Sequence, residues 1–355
     1  MDVPKLTQVY SDEQDDGTDS GLKSERWDVS WRFKMRKLRF TCENELKHFG
    51  ACDASGSVVL DTKYLVVAND EDNILRVYDS TTSGKPLASI DINDYFTNNP
   101  KGREVDIEAA TILNGTLYYI TSHGRNKNAK ERPERRNFFA NQFTIEGESF
   151  SAQQVGHSYS NLLEDLKQDS RFKDYQLEEA EQLAPKAERA LNIEGLCTAP
   201  NQQLLIGFRN PIRDGKALVV PLENPEEIVQ TEGIAAKFGN PIDLDLGGLG
   251  IRSIEYWASH EVYIIAAGAY DTSHEFRFYQ WSVNQDEQPE EIEIVNLPAG
   301  FNPEAIVIYP HLDNKFQILS DDGSVEREGG TPCKELLPES DQKFFRSVWV
   351  NVEVL

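Results

Sequence analysis

Residues 192–198 read Asn-Ile-Glu-Gly-Leu-Cys-Thr, an acidic residue followed by a small residue and a short apolar run. A turn at Pro200-Asn201 then leads to a second apolar run, Leu204–Phe208, which ends in the polar pair Arg209-Asn210. Two short apolar runs separated by a turn predict a pair of antiparallel β-strands. The segment around Glu194 therefore predicts a β-hairpin with polar groups gathered at one end.

This two-strand layout occurs five times along the chain. The acidic positions of the five copies are Asp53, Glu108, Glu194, Glu255 and Glu304. The predicted second strands are Tyr64–Ala68, Leu117–Thr121, Leu204–Phe208, Val262–Ala266 and Phe316–Ser320. The intervals between copies are 55, 86, 61 and 49 residues, compared with roughly 40–50 residues for a propeller repeat. Residues 158–190 lengthen one interval, and their leucines spaced among charged residues predict a helical insertion in a loop.

Each copy is followed by enough chain for two further strands. The repeats therefore predict an all-β fold, a five-bladed β-propeller, with six blades as the alternative. The last copy runs out of chain after Phe345–Val354, and we expect the strand Trp31–Phe40 to complete that blade and protect its edge. Residues 1–25 are acidic and poor in apolar side chains, which predicts a disordered tail. Residues 26–355 are predicted to form one propeller domain.

The charge of the chain narrows the possible partners. It carries 36 Lys and Arg against 60 Asp and Glu, a formal net charge of -24. Such a charge repels nucleic acid and anionic membranes, so neither is expected as a partner. No apolar stretch approaches the roughly 18 residues of a membrane span, and no signal peptide is recognised. We therefore expect a cytoplasmic protein whose cysteines, Cys42, Cys52, Cys197 and Cys333, are reduced.

Four motifs resemble the bacterial proteins grouped as domain of unknown function 3616 (DUF3616). They are Asn-Ile-Glu194-Gly, Asp-Ile-Glu108-Ala, Gly250-Ile-Arg252-Ser-Ile-Glu255 and Asn302-Pro-Glu304-Ala. The resemblance extends from about Trp31 to the end of the chain and implies a β-propeller of uncharacterised function. The Glu-Gly and Glu-Ala motifs are also similar to the inner strands of phytase-like and esterase-like propellers, which implies Ca²⁺ binding by such carboxylates. The resemblance supplies no catalytic residue.

In a propeller blade the first strand begins on the face at which the second strand ends. The acidic residues and the polar ends of the second strands are therefore expected to meet around the mouth of a central channel. The predicted ligand-binding residues are Asp53, Glu108, Glu194, Glu255, Glu304, His123, Arg125, Arg209, Arg252, Asp271 and Asp321. The signatures of serine hydrolases, zinc proteases and nucleotide-binding loops do not occur in the sequence, so no catalytic residue is assigned.

Several carboxylates around one channel repel each other and need a counter-charge. Oxygen ligands of this kind suit a hard cation such as Ca²⁺, and Glu108, Glu194 and Glu304 are its candidate ligands. Two alternatives remain open. Each glutamate pairs with arginine or with backbone amides for structural reasons, or one of them acts directly in acid-base catalysis.

Residues 123–136 form the most basic segment, with His123 and six Lys or Arg residues against Glu131 and Glu134. Because the segment follows a second strand, it is expected beside the channel mouth. It forms either a lid over an anionic ligand or a solvated loop that balances nearby acids. The sequence thus favours a propeller that binds a small anionic ligand or a protein partner, with Ca²⁺ as the candidate cofactor. The alternative is a metal-assisted hydrolase of ester or phosphoester bonds.

Overall fold

The computed structural model describes residues 36–271, 273–282, 287–327 and 329–355. The predicted tail at residues 1–25 and the start of the predicted strand Trp31–Phe40 lie outside these ranges. Within them the chain consists mainly of β-strands joined by short turns, which confirms the predicted all-β class. None of the helices in the described residues is long and apolar enough to cross a membrane.

The first described strand, β1 (Leu38–Phe49), is followed by three antiparallel sheets of four strands each. The first sheet contains β2 (Gly56–Val59), β3 (Tyr64–Ala68), β4 (Ile74–Asp79) and β5 (Ala88–Asp91). The second contains β6 (Ile107–Leu113), β7 (Thr116–Thr121), β8 (Phe138–Glu146) and β9 (Ser149–Tyr159). The third contains β10 (Asn192–Thr198), β11 (Leu204–Asn210), β12 (Lys216–Leu222) and β13 (Ile242–Asp245). In each sheet, strands that are consecutive in the chain are hydrogen-bonded neighbours.

The remaining described strands join β1 in a sheet of eight. Its first half contains β14 (Gly250–Trp257), β15 (Val262–Gly268), β16 (Phe276–Ser282) and β17 (Glu290–Val295). Its second half contains β18 (Pro303–Ile308), β19 (Lys315–Ser320) and β20 (Phe344–Val354), with β1 as the fourth strand. β1 lies antiparallel to β20 and parallel to β17, so it links the two halves.

The predicted second strands correspond to β3, β7, β11, β15 and β19, and their ends agree closely with the observed bounds. The N-terminal strand also pairs with the last strand, but it extends later than the predicted Trp31–Phe40. Leu38 pairs with Val354 and Phe49 pairs with Phe344. A register shift between Cys42 and Glu45 lets the strand continue through polar residues that, in the sequence, resemble a loop.

We call β2, β6, β10, β14 and β18 the inner strands, because each packs against the next and β18 packs against β2. Hydrophobic clusters fill the space between adjacent sheets. Val66 and Tyr119 belong to a cluster that joins the first and second sheets. Leu205 and Ile265 belong to one that joins the third sheet to the half containing β14. This packing brings the starts of five strands from distant parts of the chain to one place.

The predicted helical insertion at residues 158–190 contains α1 (Leu162–Gln168), a 3-10 helix (Ser170–Tyr175) and α2 (Leu177–Ala180). Its buried apolar side chains join the hydrophobic cluster of the second and third sheets. The insertion is therefore packed against the strands. The other described helical segments are α3 (Pro225–Gln230) and 3-10 helices at Asn93–Tyr95, Pro133–Arg135 and Cys333–Glu335.

A disulfide joins Cys52 to Cys333, whose Cα atoms lie 5.9 Å apart. Cys42 and Cys197 are free and buried. The expectation that all four cysteines are reduced is therefore wrong for the bonded pair. These two residues are 281 positions apart, and packing of the sheets brings them together, so their spacing in the sequence gives no signal. Disulfides persist mainly in oxidising compartments, so this bond argues against the expected cytoplasmic location.

Candidate functional site

Four inner strands are interrupted by a β-bulge near their first residues. The bulged residues are Glu108, Glu194, Arg252 and Glu304, each lying between two paired residues of its strand. A bulge leaves one residue out of the ladder and re-aims its side chain. These four side chains therefore leave the regular alternation of the sheet, and their head groups come together at the start of the inner strands.

Glycine follows the bulge in β10 because the inner strands approach closely. A Cβ atom at Gly195 would lie 2.9 Å from Ile251 Cγ2 on the next inner strand. One at Gly207, on the paired strand β11, would lie 2.7 Å from the same atom. Both distances are shorter than real Cβ contacts. The Glu-Gly motif thus combines a re-aimed carboxylate with room for the neighbouring strand.

Glu108, Glu194 and Glu304 form what we call the glutamate cluster, since one carboxylate oxygen from each lies within 4.8 Å of the other two. All three residues are buried or nearly so. They are the residues that the sequence marks as candidate ligands of a hard cation. Asp53 and Asp321 form a second group of this kind with Glu304, so one glutamate belongs to both groups.

Two arginines contact the glutamate cluster. Arg209 Nη1 donates to Glu194 Oε1 at 2.7 Å, and Asn192 Nδ2 donates to the same oxygen at 2.6 Å. Arg252 donates from Nε and Nη2 to Glu304 Oε2. Within the described residues, Glu194 Oε2 is buried without a hydrogen bond. It lies 4.0 Å from Arg252 Nε, so its interaction with that arginine is a distant ion pair.

Asp70 and Asp106 extend the acidic site beyond the residues selected from the sequence. Asp106 has a φ of 64°. Its Oδ2 accepts hydrogen bonds from Arg135 Nη1 at 2.7 Å and from Ser122 Oγ. Both aspartates lie just outside strand ends, where hydrophobic periodicity carries no information. The sequence signal nearest to Asp106 is its position two residues before Glu108 in the Asp-Ile-Glu motif.

Several buried carboxyl groups of the site resist ionisation. Burial raises the pKa of Asp53, Asp70 and Glu108 well above the usual range, and neighbouring carboxylates raise each further. Burial also raises the pKa of Glu304 to about 8, although the charge of Arg252 opposes the shift. The acidic residues of the site are Asp53, Asp70, Asp106, Glu108, Glu194, Glu304 and Asp321, and the arginines paired with members of this set are Arg135, Arg209 and Arg252. Carboxyl groups outnumber guanidinium groups, so ionisation of the carboxyl groups leaves an excess of negative charge that favours a cation over an anion.

Glu255 does not lie with the glutamate cluster. It follows Arg252 by three residues on β14, pairs with Ile264 of β15 and lines a cavity near the far ends of the inner strands. The bulge makes Arg252 the counterpart of Glu194 in this strand. The repeated Ile-Glu pair in the sequence points to Glu255, which lies three residues beyond the structural counterpart. With this correction, the four bulged positions carry three glutamates and one arginine rather than carboxylates alone.

Three other predicted residues make their hydrogen bonds outside the glutamate cluster. His123 is buried with Nδ1 at 2.8 Å from a backbone carbonyl oxygen, and burial lowers its pKa to about 4. Arg125 donates to the side chain of Gln182 in the helical insertion. Asp271 contributes its backbone carbonyl oxygen, which accepts from Arg209 Nη2 at 3.3 Å.

The basic segment 123–136 is held by ion pairs. These join Arg132 to Glu134, Arg135 to Glu104 and Asp106, and Arg136 to Glu181. Arginines engaged in this way are less available to an incoming anion. The contacts therefore favour the charge-balancing alternative over a lid for an anionic ligand.

Comparisons with known proteins identify a family and no activity. A family model described as "Protein of unknown function (DUF3616)" matches residues 140–319. No curated protein matches. Among solved structures, the PQQ-bound aldose sugar dehydrogenase of Streptomyces coelicolor is similar at 12% identity and a TM-score of 0.45, covering 90% of this chain and 99% of that chain. The β-propeller domain of Cps50 (Swd1) from Myceliophteria thermophila is similar at 9% identity and a TM-score of 0.36, covering 84% of this chain and 82% of that chain.

Proposed function

This chain belongs to the DUF3616 family of proteins of unknown function, and we propose that it is a β-propeller that binds a hard divalent cation such as Ca²⁺ at the start of its inner strands. The cation is the proposed anchor for a small anionic ligand. The observation that carries the proposal is Glu194 Oε2, a buried oxygen that has no hydrogen bond in the described part of the chain and belongs to three convergent glutamates.

The proposed architecture has five blades. Four of them are β2–β5, β6–β9, β10–β13 and β14–β17, and the fifth is β18–β20 with β1 as its outer strand. Contacts from each inner strand to the next, including β18 to β2, support this count. A sixth blade would need a further four-stranded set, and the described residues contain none.

The oxygens left open in the glutamate cluster suit a hard cation. Ca²⁺ takes six to eight oxygen ligands, with carboxylates and water prominent among them. Arg209 uses one oxygen of Glu194, and Arg252 uses one oxygen of Glu304. Glu194 Oε2 and Glu304 Oε1 are thus left without a hydrogen-bond donor in the described residues. The cluster contains no histidine or cysteine, the ligands that transition metals prefer.

A bound cation would also decide what else the site accepts. Without it, the excess of carboxyl groups repels anions. A divalent cation offsets that charge and keeps coordination positions that a carboxylate or phosphate oxygen of a ligand can occupy. Arg209 and Arg252 add positive charge beside the same glutamates. The proposed anionic ligand therefore depends on the cation.

Hydrolysis of an ester or phosphoester bond is the second candidate function. Burial and the nearby Glu194 carboxylate hold the pKa of Glu108 well above its usual range. A raised pKa favours the protonated form of a carboxyl group, which can give its proton to a leaving alkoxide. In this second candidate function Glu108 serves as the general acid, and Glu194 and Glu304 hold the cation.

Calcium titration tests the proposal. We expect Ca²⁺ to bind to the EDTA-stripped protein in calorimetry and to raise its melting temperature, because a ligand of the folded state stabilises that state. Glu194→Gln removes one charge and one ligand with little change of shape, so Ca²⁺ affinity should fall at least about tenfold. Glu255→Gln is the matched control, a second glutamate on an inner strand but outside the cluster, and should keep the wild-type affinity.

Two outcomes would contradict cation binding: no heat and no thermal shift in the wild type, or equal Ca²⁺ affinity in the wild type and Glu194→Gln. The same proteins separate the two candidate functions. Calcium-dependent turnover of p-nitrophenyl phosphate or p-nitrophenyl acetate that is lost in Glu108→Gln would favour hydrolysis. Calcium binding without turnover of either compound would favour the binding function.

A further inference from the structure

A cavity of about 630 Å³ lies near the far ends of the inner strands, away from the glutamate cluster. Every inner strand contributes to its lining, and the contributing residues include Ser57 of β2, Thr111 of β6, Thr198 of β10, Glu255 of β14 and Val307 of β18. The volume lies within the roughly 300–1,000 Å³ of small-molecule sites. The cavity therefore has the position and size of a second binding site.

Glu255 is the unusual residue of this cavity. Its carboxylate makes no hydrogen bond and no ion pair within the described residues, and the lining contains no lysine or arginine. Burial raises its pKa well above the usual range, and no cation opposes the shift. Glu255 is half-buried in the cavity wall, and its carboxylate would gain a charge partner from a bound cationic group.

Several other polar groups of the lining already have hydrogen-bond partners. Thr111 Oγ1 and Thr198 Oγ1 lie 3.2 Å apart, and Thr198 Oγ1 also donates to the Ile112 carbonyl oxygen at 2.7 Å. Tyr256 and Trp257 supply aromatic surface to the lining. The cavity thus presents one unpaired carboxylate beside an apolar and aromatic wall.

We infer that this cavity binds a small organic amine, with its ammonium group on Glu255 and its apolar or aromatic body against Tyr256 and Trp257. An ammonium group donates charge-assisted hydrogen bonds to a carboxylate, and low local polarity strengthens them. An anionic ligand would place a second negative charge beside Glu255, where no lysine or arginine of the lining offsets it. A metal ion is disfavoured, because Glu255 belongs to none of the groups of convergent acidic side chains in the described residues.

Three ligands of similar shape test the inference in the wild-type protein. Phenethylamine carries the cation, phenethyl alcohol is neutral and 3-phenylpropionate is anionic. In calorimetry near pH 7, the amine should bind at least about tenfold more tightly than either of the other two. Equal affinity for the amine and the alcohol, tighter binding of the carboxylate, or no amine binding at millimolar concentration would overturn the inference.

Two variants locate the site. Glu255→Gln keeps the shape and removes the charge, so it should weaken amine binding at least about tenfold and leave alcohol binding unchanged. Glu194→Gln, in the other site, should leave amine binding unchanged. Amine affinity that is equal in the wild type and Glu255→Gln would place the amine elsewhere and overturn the inference. Because Glu194→Gln reports on Ca²⁺ and Glu255→Gln on the amine, failure of one proposal is distinguishable from failure of the other.

Ile308→Trp provides a test that keeps Glu255 in place. Ile308 of β18 lines the cavity and is half-buried, so the larger side chain should take up part of the cavity, and amine binding should be lost while Ca²⁺ binding persists. Persistent Ca²⁺ binding also shows that the variant is folded. Wild-type amine affinity in this variant would overturn the inference.

Discussion

Arg252 stands where the other bulged inner strands carry a glutamate, and this difference sets the electrostatics of the site. A fourth glutamate would add charge repulsion to a site in which carboxyl groups already outnumber guanidinium groups. Arg252 instead donates to Glu304 Oε2 and lies 4.0 Å from Glu194 Oε2. It therefore holds two glutamates close together while the site as a whole stays short of positive charge.

The pKa of Glu304 predicts how stability changes with pH. A carboxyl group whose pKa is raised on folding destabilises the folded state as pH rises toward that pKa. Burial raises the pKa of Glu304 from 4.5 to about 8, so the metal-free protein should lose stability between about pH 7 and about pH 8. Burial lowers the pKa of His48 and His123 from 6.5 to about 4, so both are mostly neutral in this window and do not offset the loss. Urea unfolding in EDTA at the two pH values measures the change.

Glu304→Gln provides the control for this pH dependence. The amide does not titrate, so the variant should lose less stability than the wild type over the same interval. One pKa unit corresponds to about 1.4 kcal/mol, which sets the scale of the expected difference. Stability that rises with pH in the metal-free wild type would contradict the raised pKa.

At the scale of strands, the sequence predicts those inner strands whose motif residues are adjacent in the chain. A bulged glutamate, a small residue and an apolar run lie side by side in β6, β10 and β18, so the motif identified these strands and the glutamate cluster together. It failed in β14 because the bulge shifts the register without changing the sequence motif, so the motif marks Glu255 rather than Arg252 as the position equivalent to Glu194. Asp106 escaped detection because its pairing with Arg135 depends on the folded loop.

The strand β1 should make a large contribution to stability through its buried face. Phe40 is fully buried, with its ring centroid 4.9 Å from that of Phe316. Phe40→Ala should therefore lower the free energy of unfolding by ~3–5 kcal/mol through lost contacts and a new cavity. Arg39→Ala is the control on the same strand, because its side chain is 40% exposed and pairs with Glu293. It should cost only ~0–1 kcal/mol. Equally small losses in urea unfolding would show that β1 adds little.

At the scale of the whole molecule, the two ends of the described chain are joined in two ways. β1 pairs with β20, and the disulfide connects Cys52, just before the first inner strand, to Cys333 after β19. Asp322 N also donates to the Cys52 carbonyl oxygen at 2.8 Å. Asp53 follows Cys52 in the chain and Asp321 precedes Asp322, and both aspartates belong to the acidic site. The joined ends thus bring two of its carboxylates together.

The disulfide should stabilise the whole molecule because it closes a very long loop. Its cysteines are 281 positions apart, and such a link restricts the unfolded chain far more than the folded one. Replacing both cysteines by serine should lower the free energy of unfolding by ~2–5 kcal/mol. Dithiothreitol should lower the melting temperature of the wild type but not of the Cys52→Ser/Cys333→Ser variant, whose other cysteines, Cys42 and Cys197, are unbonded. A wild-type melting temperature unaffected by reductant would mean that pairing of β1 with β20 is sufficient to hold the ends together.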